Sequence, residues 1–107
     1  MTEPKKTRRQ ILEEFVARKP EDPFSRYGLA MECMSSGDPN SAVEHFRALL
    51  RGNADYVPAY LMYAQLLARE SRPEEAREVL SSGIAAAIKK GDQHARSEME
   101  GFLAQLG

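Results

Sequence analysis

The side chains best suited to chemistry in this sequence are two histidines, one cysteine and a group of glutamates. His45 and His94 are far apart in the chain and lack the spacing with which zinc sites pair their ligands. Cys33 is the only cysteine, and no cation adjoins it in the sequence to lower its thiol pKa. We therefore predict His45 to be a partly exposed packing residue and Cys33 a small core residue.

The glutamates form the third candidate. Glu74, Glu75 and Glu78 alternate with Arg72 and Arg77, a pattern typical of an exposed helix start with ion pairs. The sequence contains no phosphate-binding glycine loop and no GxSxG, HExxH or CxxC motif. We predict that the chain is not an enzyme and has no catalytic, metal-binding or cofactor-binding residues.

Charge and hydropathy restrict the partners further. The 15 basic and 16 acidic residues give a net charge of −1, which disfavours general attraction to nucleic acid. One local exception, Lys5, Lys6, Arg8 and Arg9 beside Pro4, is interpreted as a solvated, partly frayed terminus. No apolar run has the length of a membrane span, and no apolar segment follows the basic residues as in a secretory signal. We expect a cytoplasmic protein that binds neither nucleic acid nor membrane.

Helix start and stop residues divide the 107 residues into six helical segments, and no segment has the pattern of a strand. Thr7 and Gln10 have capping-box spacing, which predicts a first helix over residues 7–19. Further starts are predicted at Pro23, Pro39, Pro58, Pro73 and Asp92, and stops at Gly37, Gly52 and Gly91.

The chain also repeats itself at a spacing of 34 residues. This shift aligns Ala30 with Ala64 and Ala42 with Ala76. Small residues at these positions allow two helices to cross closely. The same shift places Leu12 on Phe46, which makes the first helix equivalent to the second helix of a repeat. Continued to the last helix, it places Glu98 where a small buried residue belongs, so we interpret that helix as a cap.

These repeats resemble the tetratricopeptide repeat, whose pattern is W-x2-L-G-x2-Y, then A-x3-F, then P. The first copy has Arg26-x2-Leu29-Ala30-x2-Cys33 and Ala42-x3-Phe46; the second has Tyr60-x2-Tyr63-Ala64-x2-Leu67 and Ala76-x3-Leu80. Arg26, Cys33, Ala54 and Ile88 depart from the pattern. The resemblance implies an all-α fold of antiparallel helix-turn-helix repeats in a short right-handed α-α superhelix. It further implies a single domain, 1–107, with a half-repeat at 7–19, repeats at 23–56 and 57–90, and a capping helix at 92–106.

In this family the first helix of each repeat lines a concave groove, so the resemblance implies a non-catalytic scaffold that binds a peptide or helix of a partner protein there. The equivalent residues in this chain include two aromatic and two methionine side chains at helical spacing, which suit an apolar partner segment. They are Phe24, Tyr27, Met31, Met34, Leu61, Gln65, Ala68 and Arg69, the last expected to orient the partner through polar contacts. The alternatives are a homodimerisation module that uses the same apolar face and an accessory subunit of a larger complex.

Overall fold

A computed structural model describes residues 5–107, which form six α-helices and no strand. This confirms the all-α expectation. Pro4 and the rest of residues 1–4 lie outside the described part, and the boundaries of the single domain and its repeats stay predictions. The helices are α1 (Arg8–Arg18), α2 (Pro23–Ser35), α3 (Pro39–Gly52), α4 (Pro58–Arg69), α5 (Pro73–Lys90) and α6 (Gln93–Leu106). The chain divides into two compact units, the first ending at Leu49 and the second running from Leu50 to Gly107.

Helix ends follow the predicted local chemistry. The Thr7 hydroxyl accepts from the Gln10 N–H at 3.1 Å while the Gln10 side chain accepts from the Thr7 N–H at 2.8 Å, so the capping box is present. Asp22 caps α2 and Asp92 caps α6 through their carboxylates. Gly37 and Gly91 adopt φ angles of 78° and 71°, a left-handed conformation that glycine reaches without a Cβ clash. Short-range hydrogen bonds of side chains thus define the starts of α1, α2 and α6.

The first unit is built around one face of α2 and the inner face of α3. Leu29, Ala30 and Cys33 of α2 are buried, as is Phe46 of α3. The rings of Tyr27 and Phe46 meet edge to face with their centroids 6.4 Å apart, which joins the two helices. Burial raises the pKa of the Cys33 thiol, although Arg9 of α1 lies near enough to oppose this rise. The predicted core role of Cys33 is confirmed.

A histidine links α2 and α3 in the same unit. The Arg26 guanidinium donates to Nδ1 of His45 at 3.3 Å and to the Pro20 carbonyl at 3.1 Å. Because arginine has only donors, Nδ1 must be unprotonated for this bond to form. Burial, and then the charges of Arg26 and Arg9, lower the pKa of His45, against smaller opposing effects of Glu44 and Glu13. His45 is therefore a half-buried structural residue held in its neutral form.

This environment predicts an acid-sensitive stability. In the unfolded chain His45 binds a proton near pH 6.5, whereas in the folded chain it resists protonation to lower pH. The free energy of unfolding should therefore be fully retained above about pH 6.5 and fall as the pH drops from there towards the lower folded pKa. Urea titrations between pH 8 and pH 5 would measure this, and His45→Gln should flatten the dependence. His94→Gln, which removes the exposed histidine of α6, is the control; a flattened profile in that variant instead would contradict the assignment.

The second unit is a three-helix arrangement in which α5 packs against both α4 and α6. The three helices approach closely at Gly83 of α5, where a Cβ would lie 2.5 Å from Cβ of Tyr60 and 2.6 Å from Sδ of Met99. The Tyr60 hydroxyl donates to the Ala54 carbonyl at 2.5 Å, and Arg77 of α5 donates to the Leu106 carbonyl at 3.0 Å. Side chains of α4 and α6 thus meet over a glycine.

Candidate functional site

The first unit has an open groove between α1 and α2, with a volume of ≈ 720 Å³. The two helices pack against each other, and each contributes side chains beside that contact to one wall of the groove. We call it the α1–α2 groove. It is lined by Arg8, Leu12 and Phe15 of α1 and by Phe24, Ser25, Tyr27, Gly28, Met31, Glu32 and Ser35 of α2.

The lining is mainly apolar and unusually exposed. Phe15 is 50% exposed and Phe24 is 76% exposed, and Ile11, one helical turn before Phe15, is 42% exposed. Large aromatic side chains grouped on a surface are typical of interaction sites, whereas scattered single ones carry no such meaning. Tyr27 also packs on the buried Phe46, so the groove wall is anchored to the core of this unit. The arrangement suits the burial of an apolar segment.

The charged residues that line the groove form one ion pair. Arg8 Nε lies 3.4 Å from Glu32 Oε2, with the Arg8 side chain 81% exposed. Other members of the basic N-terminal run also have acidic partners, since Lys6 Nζ lies 2.6 Å from Glu14 Oε1 and Arg9 Nη1 lies 3.0 Å from Asp38 Oδ2. Lys6, Arg8 and Arg9 thus serve intramolecular contacts. Hydrogen bonds from Ser41, and then the hydrogen bond from Arg9, lower the pKa of Asp38.

The remaining candidates for chemistry are dispersed. Within residues 5–107 no group of three His, Cys, Asp or Glu side chains is arranged to hold a metal ion. Glu74 pairs with Arg77 and Glu75 with Arg72, each at 2.7 Å, which confirms the predicted ion pairs at the start of α5. Across the same described part, no helix combines the length and apolar character needed to cross a membrane.

The structure brings together part of the predicted binding set. Phe24, Tyr27 and Met31 share the α1–α2 groove, whereas the half-buried Met34 lies one turn further along α2, outside its lining. Leu61, Gln65 and Arg69 lie at four-residue spacing on α4 of the second unit, and Ala68 adjoins them there. Leu12 and Phe15 of α1 also line the groove, although their positions in the sequence did not identify them as wall residues. The 34-residue shift aligns them with Phe46 and Leu49, which are buried, so the repeat indicated core positions for them and not a groove wall.

Comparison with known proteins identifies the family of this chain. The sequence pattern of the tetratricopeptide repeat matches residues 34–106. The chain belongs to the tetratricopeptide repeat family. This confirms the resemblance seen in the sequence, and the tetratricopeptide repeat fold points to a protein-interaction scaffold with protein partners in a generally non-catalytic family.

Relatives of this tetratricopeptide repeat chain are similar over most of its length. A TPR repeat-containing protein of Pseudomonas aeruginosa is 26% identical over 95 residues, covering 89% of this chain and 90% of that protein. The solution structure of a tetratricopeptide repeat domain protein from Salinibacter ruber has a TM-score of 0.78 and 32% identity, covering 82% of this chain and 89% of that one. A protein from Bordetella parapertussis has a TM-score of 0.80 and 26% identity, covering 95% of this chain and 89% of that one.

Proposed function

We propose that this tetratricopeptide repeat chain is a non-catalytic scaffold that binds a peptide or helix of a partner protein in the α1–α2 groove. The observation that carries the proposal is the exposure of Phe15 and Phe24 on the two walls of one groove of ≈ 720 Å³. Burial of apolar surface gives roughly 25 cal/mol per Å², so two aromatic rings supply a substantial driving force for a partner that covers them.

The groove supports recognition by shape and apolar contact more than by charge. Arg8 and Glu32 contribute a single surface ion pair at its edge, and Met31 offers a flexible side chain that adapts to different apolar partners. In the second unit, the row of Leu61, Gln65 and Arg69 is proposed as a further contact surface of the same kind, with Arg69 as the polar orienting residue.

Site-specific crosslinking in the native host tests this function. A photo-crosslinking phenylalanine analogue in place of Phe15 should yield a discrete adduct, whereas the same analogue in place of Ile88 should not. The two positions are matched, since Phe15 is 50% and Ile88 is 53% exposed, and Ile88 lies outside the α1–α2 groove. The added change Phe24→Glu should reduce the adduct at position 15 at least about tenfold, because it places a charge in the apolar contact.

Two results would count against partner binding. Identical adducts from positions 15 and 88, or an adduct that persists undiminished with Phe24→Glu, would show that the groove does not select its partner. The second candidate function, self-association, is favoured by the same exposed apolar residues. Light scattering on a sizing column separates the two, since self-association requires a wild-type dimer that Phe24→Glu converts to a monomer.

A further inference from the structure

The α1–α2 groove has a counterpart inside the second unit. Shifting α1 by two periods of 34 residues places its groove-lining residues Arg8, Leu12 and Phe15 on Ala76, Leu80 and Gly83 of α5. On α5 all three positions are buried. On α1 the same face is open, with Phe15 50% exposed. The α1 face and the α5 face are therefore equivalent positions of the repeat, but only the α5 face is covered by another helix.

The α5 face is covered by α4. Tyr60 of α4 lies directly over Gly83, where a Cβ would be 2.5 Å from the Tyr60 Cβ. The short connection between these helices makes them antiparallel, so moving seven residues back from Gly83 to Ala76 corresponds to moving two turns forward on α4, from Tyr60 to Leu67. Within the described part of the first unit, no helix takes this place on the Arg8, Leu12 and Phe15 face of α1.

From this equivalence we infer that the α1–α2 groove is the binding site, here called the seat, of an α-helix supplied by the partner protein. That helix runs antiparallel to α1 and completes the half-repeat, as α4 completes the repeat with α5. The inference rests on the proposed function and specifies its partner segment: an amphipathic helix of about three to four turns, in place of an extended peptide.

The residues of α1 set the chemistry of this helix. Phe15 stands where α5 has Gly83, so the space that Tyr60 fills in the second unit is taken by the Phe15 ring. The partner helix must therefore carry a small residue at the position equivalent to Tyr60. Arg8 stands where α5 has Ala76, and its 81% exposed side chain has only a weak surface ion pair with Glu32 at 3.4 Å. Charge complementarity then favours an acidic residue two turns later, at the position equivalent to Leu67.

A second copy of this chain is a poorer occupant of the groove. The face that it has open for such packing is its own α1 face, which would place one Phe15 ring against the other at the crossing where a small residue is required. A partner helix with alanine, glycine or serine at that point avoids the collision.

Two synthetic peptides test the seat directly. Both span residues 57–72 of this chain, the α4 segment, and both carry Leu67→Glu; the tyrosine peptide keeps Tyr60, and the alanine peptide carries Tyr60→Ala. Titration into isotope-labelled wild-type chain should shift the amide signals of Phe15, Gly28 and Met31, with the alanine peptide bound about tenfold more tightly than the tyrosine peptide. Phe15→Ala should abolish this preference, because the ring that excludes tyrosine is gone. Arg8→Glu should weaken the binding of both peptides at least about threefold.

The possible results distinguish failure of the proposed seat geometry from failure of the proposed function. Equal affinity of both peptides for the wild-type chain, or a preference that survives Phe15→Ala, overturns the seat geometry. If neither peptide binds while the crosslink at position 15 remains sensitive to Phe24→Glu, the helical seat is wrong and the proposed function stands. If neither peptide binds and that crosslink is absent, the proposed function fails as well. A wild-type dimer that Phe24→Glu dissociates would assign the seat to a second copy.

Discussion

Gly83→Ala is expected to destabilise the chain by about 2 kcal/mol, measured as the change in the free energy of unfolding in urea. The added Cβ would lie 2.5 Å from the Tyr60 Cβ and 2.6 Å from the Met99 Sδ. The Tyr60 atom is next to the backbone, so the helix as a whole must move. Overpacking of this kind costs about 1–3 kcal/mol or more, which exceeds the roughly 1 kcal/mol that alanine gains over glycine in a helix.

The same substitution at Gly101 provides the control. Gly101 lies in the interior of α6, and a Cβ there meets nothing within 4 Å. Gly101→Ala should therefore stabilise the chain by up to about 1 kcal/mol through helix propensity alone. Equal effects of the two substitutions would contradict the close approach of α4, α5 and α6 at Gly83.

Phe46→Ala should have a larger effect, a loss of about 3–5 kcal/mol in the free energy of unfolding. Phe46 is 0% exposed and packs edge to face on Tyr27. Its truncation removes buried apolar area and leaves a cavity that the surrounding helices fill only in part. This is a large part of the typical total stability of a domain, about 5–15 kcal/mol, and should be measured as a lower urea midpoint of the helical circular dichroism signal.

Phe24→Ala is chemically the same change in a different place. Phe24 is 76% exposed, so its removal should alter the free energy of unfolding by less than about 0.5 kcal/mol while it weakens the groove crosslink. A stability loss at Phe24 comparable to that at Phe46 would place this ring in the core and remove it from the binding surface. The pair therefore separates packing from recognition with one substitution type.

Much of the helical architecture could be predicted from the sequence, because short-range chemistry decides it. The Thr7 capping box, the Asp22 cap and the left-handed Gly37 each depend on residues within a few positions of one another. The small residues Ala30 and Ala64, predicted to lie at close crossings, are both fully buried. The helices were predicted correctly where the capping residues and the 34-residue repeat indicated the same structure.

The last helix shows where the repeat alone is insufficient. Because the period would put Glu98 at a small buried position, we interpreted α6 as a cap outside the repeat register; in the structure Glu98 is exposed and Met99 is 1% exposed. The buried face of α6 is thus displaced by one residue, since it is determined by the contact of Met99 with Gly83 of α5. Which residue meets a glycine on a neighbouring helix is a tertiary property that the period does not encode.

The candidate site was predictable only on one wall. Phe24, Tyr27 and Met31 were identified because they share a helical face. Phe15 was not, because in the two full repeats its equivalents Leu49 and Gly83 are buried. Whether such a face is covered depends on which helix lies beside it. The ion pair of Arg9 with Asp38 was similarly hidden, since 29 positions separate the two residues in the chain.

The reactivity of the buried Cys33 thiol reports on local opening of the first unit. The thiol is 0% exposed and its pKa is raised by burial, so a thiol reagent can reach it only when the surrounding helices separate. With no second cysteine in the sequence, the rate of modification under native conditions measures the opening of this unit alone. A bound partner helix would then be detectable as a slower labelling reaction, without any tag or engineered probe.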